Sequence, residues 1–331
     1  MIIAVDTAGG EHAPYEIVKG AIKAAQEYEV EIALVGKKEI LHVLASRYSK
    51  KPGLTTVEAN QIIGPHESPI KAIRSKPNSS IVVGINLVRD GLASAFVSAG
   101  NSGAVVAAAL LNLGKIEGIP RPAIGSFINI TPPSPLFLID AGANVDCRPE
   151  HLVLFAHLGH LYVSQIIGIS SPRIGLLSNG EEETKGNKLI VESHKLLKKT
   201  KLNFIGNIEG QDILKGAAEV IVTDGFTGNI TLKTIEGISD TWLYSLSQAG
   251  QVFAKVYSIP LRVLRRDIGM GSWSKRLDYR EYGGACLLGV KGNVIIAHGR
   301  SQAKAIKNAI GLAKQTAERS ISHIIEQESH D

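Results

Sequence analysis

Apolar runs of strand length alternate along this chain with segments of helical period, and that rhythm narrows the fold more than any other feature. Strands are expected at Ile2–Asp6, Glu31–Val35, Ala95–Ser98, Leu136–Asp140, Arg173–Leu177, Asn203–Gly206, Glu219–Thr223 and Asn293–Ala297. Helices are expected between them at Pro14–Tyr28, Ser79–Arg89, Gly103–Leu113, Pro149–Ile167, Lys185–Leu197 and Ser301–Ile321, several of them opened by Pro or Ser. The implied fold class is α/β, three αβα layers around a mostly parallel sheet. The chain has 331 residues, 44% of them hydrophobic and 20% charged, enough for one large core, so residues 1–331 are read as a single unit. From Ile230 to Tyr279 the rhythm stops, with no clear strand for about fifty residues. Residues 230–279 are therefore expected to form a helical hairpin excursion, bent at Ser258-Ile259-Pro260 and carrying Trp242 and Trp273, of the kind that serves oligomerisation or docking.

Several function classes lose support at this stage. Cys147 and Cys286 are the two cysteines, too few for a disulfide framework and outside any Cys/His ligand spacing, which fits a reducing compartment. Cys147 reads as a small buried group rather than a nucleophile. The opening MIIAVD runs straight into a strand, so no secretory leader is expected. The most membrane-like window, His151 to Ile169, is broken by His157, His160, Ser164 and Gln165 and is expected to be a buried helix. No G-x-G-x-x-G follows a strand, and P-loop, kinase and G-x-S-x-G motifs are missing, so no nucleotide cofactor and no serine nucleophile is expected. Asp140 with Asp146, or the run Glu181–Glu183, could offer carboxylates to a metal, but no ligand spacing supports one. His12, His66 and His298 fall in loop-like contexts, where a lone histidine is more often a surface or packing residue. A net charge of +5 and a pI near 9.0 suit an anionic partner, be it acidic protein, phosphorylated ligand, membrane surface or nucleic acid.

The chemistry concentrates in glycine-rich loops after the strands. These are Asp6-Thr7-Ala8-Gly9-Gly10-Glu11-His12, Ser98-Ala99-Gly100-Asn101-Ser102-Gly103-Ala104, Asp140–Asp146, Ser178–Gly186 and Asp224–Asn229. Glycine lets backbone N–H groups approach a ligand, and a following helix N-terminus favours negative charge, so such loops can cradle phosphate. Any one of them could be only a tight strand-to-helix turn. Five on one sheet edge, as a parallel sheet would place them, point to an anion site.

Together these loops resemble the bacterial phosphate acyltransferases, the acyl-carrier-protein:phosphate transacylases. The resemblance spans nearly the whole chain: VDTAGGEHAP from Val5, VSAGNSGA from Val97, GIPRPAI from Gly118, DAGANVDCRPEHL from Asp140, GLLSNGEEETKGN from Gly175, NFIGNIEGQDI from Asn203, VTDGFTGNITLKT from Val222 and EYGGACLLGVKG from Glu281. Thr7-Ala8 replaces the usual Ala-Met, Glu11 an Asp and Thr227 a common Val, and His66 is a further departure; the first three bear on substrate preference more than on the reaction. The resemblance implies a fold related to phosphotransacetylases and isopropylmalate dehydrogenases, no cofactor, a homodimer, and a cytoplasmic protein reversibly associated with the membrane surface. It also implies acyl-carrier protein and inorganic phosphate as partners, long-chain acyl phosphate as product in phospholipid biosynthesis, and a downstream glycerol-3-phosphate acyltransferase that uses it.

Within that reading phosphate attacks the thioester directly, and the protein supplies positioning and oxyanion donors. Lys185 is expected to neutralise phosphate or the tetrahedral oxyanion, with Asn229 as amide donor. Their bland alternatives are a solvated first-turn lysine paired to a neighbouring Glu, and a helix cap after Gly228. Asn101, Ser102 and Gly103 are expected to bind phosphate at a helix start, with Gly9, Gly10, Asp140 and Asn144 as further substrate or phosphate residues. Asp224 would orient Lys185 or Asn229, and Glu182 and Glu183 would point away or hold the lysine. Arg262, Arg265 and Arg266, with Lys275 and Arg276, form the densest basic stretch, interleaved with Leu261 and Leu264, as a face for carrier protein, dimer partner or membrane. The rival readings are a short-chain acyl-CoA phosphotransacylase, a non-catalytic lipid- or carrier-binding scaffold, and a nucleic-acid binder; the last lacks an aromatic stacking platform and is not expected.

Overall fold

The expected strands all form, since each is a short aliphatic run, and most are buried on both faces. The computed structural model describes residues 1–46, 53–128, 135–257 and 283–328. Its strands are β1 (Ile2–Asp6), β2 (Glu31–Gly36), β3 (Leu54–Glu58), β4 (Ala95–Ser98), β5 (Ala123–Ile128), β6 (Leu136–Ile139), β7 (Ile174–Leu177), β8 (Phe204–Ile208), β9 (Val220–Val222), β10 (Ala285–Leu288) and β11 (Asn293–Ile296). They form one 11-stranded sheet in the order β3-β2-β1-β4-β11-β10-β5-β6-β9-β7-β8. β3, β5 and β10 are additions to the sequence reading. β5 is interrupted by Gly125, where a Cβ would overlap the Phe137 ring on the neighbouring strand.

The direction of the strands corrects one expectation. β3, β2, β1, β4 and β11 are mutually parallel, as are β6, β9, β7 and β8. Between the blocks β10 pairs antiparallel with both β11 and β5, and β5 pairs antiparallel with β6. The second block therefore runs opposite to the first. The loops after β1 and β4 leave one sheet edge and those after β6, β7 and β9 leave the other, so the five glycine loops divide rather than share an edge.

Alternation along the strands sorts the core into two faces. Ile3 and Val5 join one apolar cluster with α1 (Tyr15–Tyr28), α6 (Pro149–Ile167), α7 (Lys188–Leu197), α10 (Ala303–Glu318) and α11 (Ile321–Glu328). Ala4 points the other way, into a cluster with α3 (Pro69–Ser75), α4 (Ser80–Arg89) and α5 (Ser102–Ala108). In the second block Leu136 and Leu138 meet Ile213 of α8 (Gly210–Lys215) on that same side. The remaining helices are α2 (Lys38–Ser46) and α9 (Gly225–Tyr257). Leu232 of α9 packs against both clusters of this face, so α9 bridges the two oppositely directed blocks.

The window at His151–Ile169 is the helix α6, with Leu152, Phe155 and Tyr162 fully buried; among the described residues no helix is long and apolar enough to cross a membrane. The helix expected from Lys185 starts at Lys188 instead, because the Asn187 side chain accepts the Ile190 N–H as an N-cap and Gly186 takes φ +106°. The expected excursion begins as α9 at Gly225. Its bend at Ser258-Ile259-Pro260, together with Leu261, Arg262, Leu264, Arg265 and Arg266, lies outside the described residues.

Candidate active site

At the edge formed by β1 and β4, buried Asp6 organises the first cluster. Its Oδ1 accepts N–H bonds from Ala8 (3.0 Å) and Gly9 (3.1 Å), and its Oδ2 accepts from Ser98 Oγ (2.7 Å). Ser98 in turn accepts the Gly100 N–H at 3.0 Å. A Cβ at Gly9 would lie 2.6 Å from the Gly100 Cα, so the two loops meet backbone to backbone only because position 9 is glycine. Asn101 follows, but its side chain is spent. Oδ1 caps α5 by accepting the Ala104 N–H, and Nδ2 donates to the carbonyls of Gly64, Pro65 and Glu67. Ser102 and Gly103 stay exposed at the opening of α5, and what this cluster offers an anion is backbone N–H and the Ser102 hydroxyl.

At the opposite edge, Asp140 performs the same task on a larger scale. Its carboxylate is fully buried and accepts five N–H bonds: Ile124, Gly142 and Ala143 on Oδ1, the Asn144 backbone and side chain on Oδ2. Burial pushes its pKa up, against the pull of those donors. Asn144 Nδ2 also donates to Pro122 O at 2.8 Å. Asp140 and Asn144 therefore shape the loop from inside. The first turn of α9 lies directly on it through Gly225 and Gly228, since a Cβ at Gly225 would come 2.7 Å from the Asn144 carbonyl oxygen and one at Gly228 would overlap the Asp140 carbonyl. Asp224 caps this turn, accepting from Thr227 N and Thr227 Oγ1 at 2.8 Å each. Asn229 is thus inside the helix rather than its cap. It is exposed, with its side chain beside Gly142.

The loop after β7 leaves the same edge, because β7 pairs parallel with β9. Its shape comes from a buried chain of polar contacts: His194 Nδ1 meets Asn207 Oδ1 at 2.9 Å, Asn207 Nδ2 donates to the Glu182 carbonyl at 2.9 Å, and that carbonyl accepts the Lys185 N–H at 2.9 Å. The lysine that Glu183 holds is Lys198. Glu181 gathers with Glu209 and Asp212 within 4.8 Å. Lys185 is exposed, and among the described residues its ammonium forms no ion pair despite the three glutamates beside it.

The structure thus brings Lys185, Asn229, Asp140, Asn144 and Asp224 to one edge, and Gly9, Gly10, Asn101, Ser102 and Gly103 to the other. Asp224 orients Thr227 rather than Lys185 or Asn229. Sequence reasoning passed over Asp6 as the organiser of the first cluster, although it stands like Asp140 directly after an apolar strand with glycine close behind. It also passed over the spacing Gly225-x-x-Gly228, one helical turn apart. His194 and Asn207 left no local signal, since they come from a helix and a strand that only folding brings together.

Three comparisons bear on this arrangement. A family model described as "Fatty acid synthesis protein" matches residues 1–323. A phosphate acyltransferase of Dehalococcoides mccartyi is 56% identical over 99% of this chain and 94% of its own length, and one of Pelotomaculum thermopropionicum is 48% identical over 96% and 92%. In fold, the chain resembles a phosphotransacetylase from Streptococcus pyogenes, with a TM-score of 0.61 at 17% identity over 96% of this chain and 94% of that one. The sheet of two opposed parallel blocks and the glycine loops at its edges are thus those of an enzyme, and the chain belongs to the phosphate acyltransferase family.

Proposed function

We propose that this acyltransferase moves a long-chain acyl group from acyl-carrier protein to inorganic phosphate, releasing acyl phosphate and the free carrier thiol. A phosphate oxygen attacks the thioester carbonyl carbon, the carbonyl oxygen takes the charge of the tetrahedral intermediate, and the C–S bond breaks as that charge returns. The thiolate then takes a proton from solvent. With an ordinary thiol pKa near about 8.5 it needs little help to leave, so no enzyme nucleophile is required. The half-buried Cys147 is ill suited to that role, because burial pushes its thiol up to about 11.

One observation carries the reading. On the edge where Asp140 and the glycine pair of α9 build a rigid floor, the Lys185 ammonium and the Asn229 amide are exposed and have no side-chain partner among the described residues. Donors left free on a held backbone are what a developing oxyanion can recruit. The relatives named phosphate acyltransferases support phosphate and an acyl donor as substrates. The finer terms belong to this proposal: a carrier-bound long chain, phospholipid synthesis with a glycerol-3-phosphate acyltransferase consuming the product, a cytoplasmic homodimer, and reversible contact with the membrane through the basic and apolar stretch at 261–266.

Phosphate-dependent loss of a long acyl group from acyl-carrier protein tests it, with Lys185→Ala and Asn229→Ala compared at matched folding. Wild-type formation of acyl phosphate, with at least about tenfold lower turnover in each variant, corresponds to roughly 1.4 kcal/mol of lost transition-state stabilisation and supports both roles. Reaction with short acyl-coenzyme A alone would transfer the reading to a short-chain phosphotransacylase. Reaction with neither donor would leave a binding scaffold.

A further inference from the structure

Strand direction sends the two glycine clusters to opposite edges, yet a single helix reaches both. α9 is seated on the Asp140 loop through Gly225 and Gly228, and its Leu232 packs against the apolar clusters of both sheet blocks. One turn further, Glu236 is 7% exposed and points into the protein rather than to water. Its Oε2 lies 2.8 Å from Lys233 Nζ and 3.2 Å from His298 Nε2. One turn beyond that, Asp240 meets Arg300 at 3.2 Å.

His298 stands just past the end of β11, and its ring is fixed at both nitrogens. Nδ1 accepts the Arg300 N–H at 3.1 Å, so in the neutral imidazole the proton resides on Nε2 and is donated to Glu236. The loop it belongs to also holds the first cluster. Gly299 O accepts the Glu11 N–H at 2.8 Å, and a Cβ at Gly10 would lie 3.2 Å from that same oxygen. From Asn229 to Glu236 is one continuous stretch of helix, about 10 Å at 1.5 Å per residue.

We infer that Glu236 and His298 are a positioning pair for the acyl transfer, which fixes α9, and Asn229 on it, against the sheet. The inference rests on the role proposed above for Asn229. An oxyanion donor acts only where it meets the carbonyl oxygen closely, and misplacing it by about 1 Å can cost about a hundredfold in rate. Strand pairing does not fix a helix that lies across the sheet; a buried carboxylate bonded to the loop after β11 does hold it.

The test is steady-state turnover of long-chain acyl-[acyl-carrier protein] with inorganic phosphate in the full-length enzyme, with thermal melting run on every variant. Glu236→Ala and His298→Ala are each expected to lower kcat roughly tenfold, with both KM values within about twofold of wild type, as for a group that acts on alignment rather than on binding. His298→Gln, whose amide can donate to Glu236 from nearly the same place, is expected to restore most of kcat, and it keeps the test valid if His298→Ala melts too low. In an Asn229→Ala background, Glu236→Ala should add less than about twofold, because the pair acts through Asn229. Wild-type kcat in Glu236→Ala, or fully multiplying losses in the double variant, overturns the inference while a kcat loss in Asn229→Ala alone leaves the proposed reaction standing. Wild-type kcat in Asn229→Ala overturns the role given to Asn229 and the positioning through it together.

Discussion

Asp6 and Asp140 each follow a strand, each is buried, and each draws in backbone N–H groups from the glycine loop behind it. The two clusters nevertheless spend their side chains differently. Around Asp6 the Asn101 amide is used up as cap and strut, and backbone N–H with the exposed Ser102 hydroxyl remains for a ligand. Around Asp140 the loop is satisfied from within, the cap of the next helix is Asp224, and Asn229 is left exposed one turn on. A common way of building a loop thus leaves one edge with its amide spent and the other with its amide exposed.

The largest expected effect separates the two edges by packing. At Gly228 a Cβ would overlap the carbonyl oxygen of Asp140, a backbone atom that no rotamer change can move aside. Gly228→Ala should therefore exceed the ~3 kcal/mol that overpacking ordinarily costs, read as a fall in chemical-denaturation midpoint. Gly9→Ala, whose Cβ would stand 2.6 Å from the Gly100 Cα, should cost less. Gly237, in the same helix as Gly228, has nothing within 4 Å of a Cβ among the described residues, and Gly237→Ala should stabilise by about 1 kcal/mol through helix propensity. Equal losses at residues 228 and 237 would remove the claim that α9 is seated on the Asp140 loop through its glycines.

Next in size is the exchange of each organising carboxylate for an amide. Either orientation of an Asn at position 140 turns an NH2 group toward at least two of the five donors that now bond there, so Asp140→Asn should cost about 2–3 kcal/mol. Asp6→Asn can keep its oxygen toward Ala8 and Gly9 and donate to Ser98, whose hydroxyl accepts as readily as it donates, so about 1 kcal/mol or less is expected. Urea titrations of the two variants measure the difference. A cost at Asp6 equal to that at Asp140 would mean that the first cluster is as tightly determined as the second.

What could be read from the sequence follows from how local each signal is. Strands such as Ile2–Asp6 and Leu136–Ile139 hold runs of four apolar residues, because both faces are covered, and such a run is visible in isolation. β10 is not, because Ala285–Leu288 follows the segment read as helical and lies beside the glycines Gly283, Gly284 and Gly289. Missing β10 and β5 meant missing the reversal of direction, and with it the division of the glycine loops. The loops themselves were legible as glycine and asparagine clusters. Which side chains they leave available was not: Asn101 and Asn229 both sit beside a glycine at a helix start, and only the carbonyls of Gly64, Pro65 and Glu67, far away in sequence, distinguish the occupied amide from the exposed one.

The smallest effect sharpens the comparison at its most local point. The Thr227 hydroxyl gives Asp224 a second hydrogen bond in addition to the one from Thr227's own N–H. Thr227→Val removes the hydroxyl bond and keeps the backbone one, so helix capping persists at a cost of about 1 kcal/mol. The seat of α9 is set by Gly225 and Gly228 rather than by this hydroxyl, so the position of Asn229 should not change, and kcat should stay within about twofold of wild type. Turnover and a melting curve on the same preparation decide the matter. A drop in kcat well beyond the loss of stability would show that Asp224, relieved of one bond, reaches Asn229 or the substrate, and that the second cluster is less settled from within than its hydrogen bonds imply.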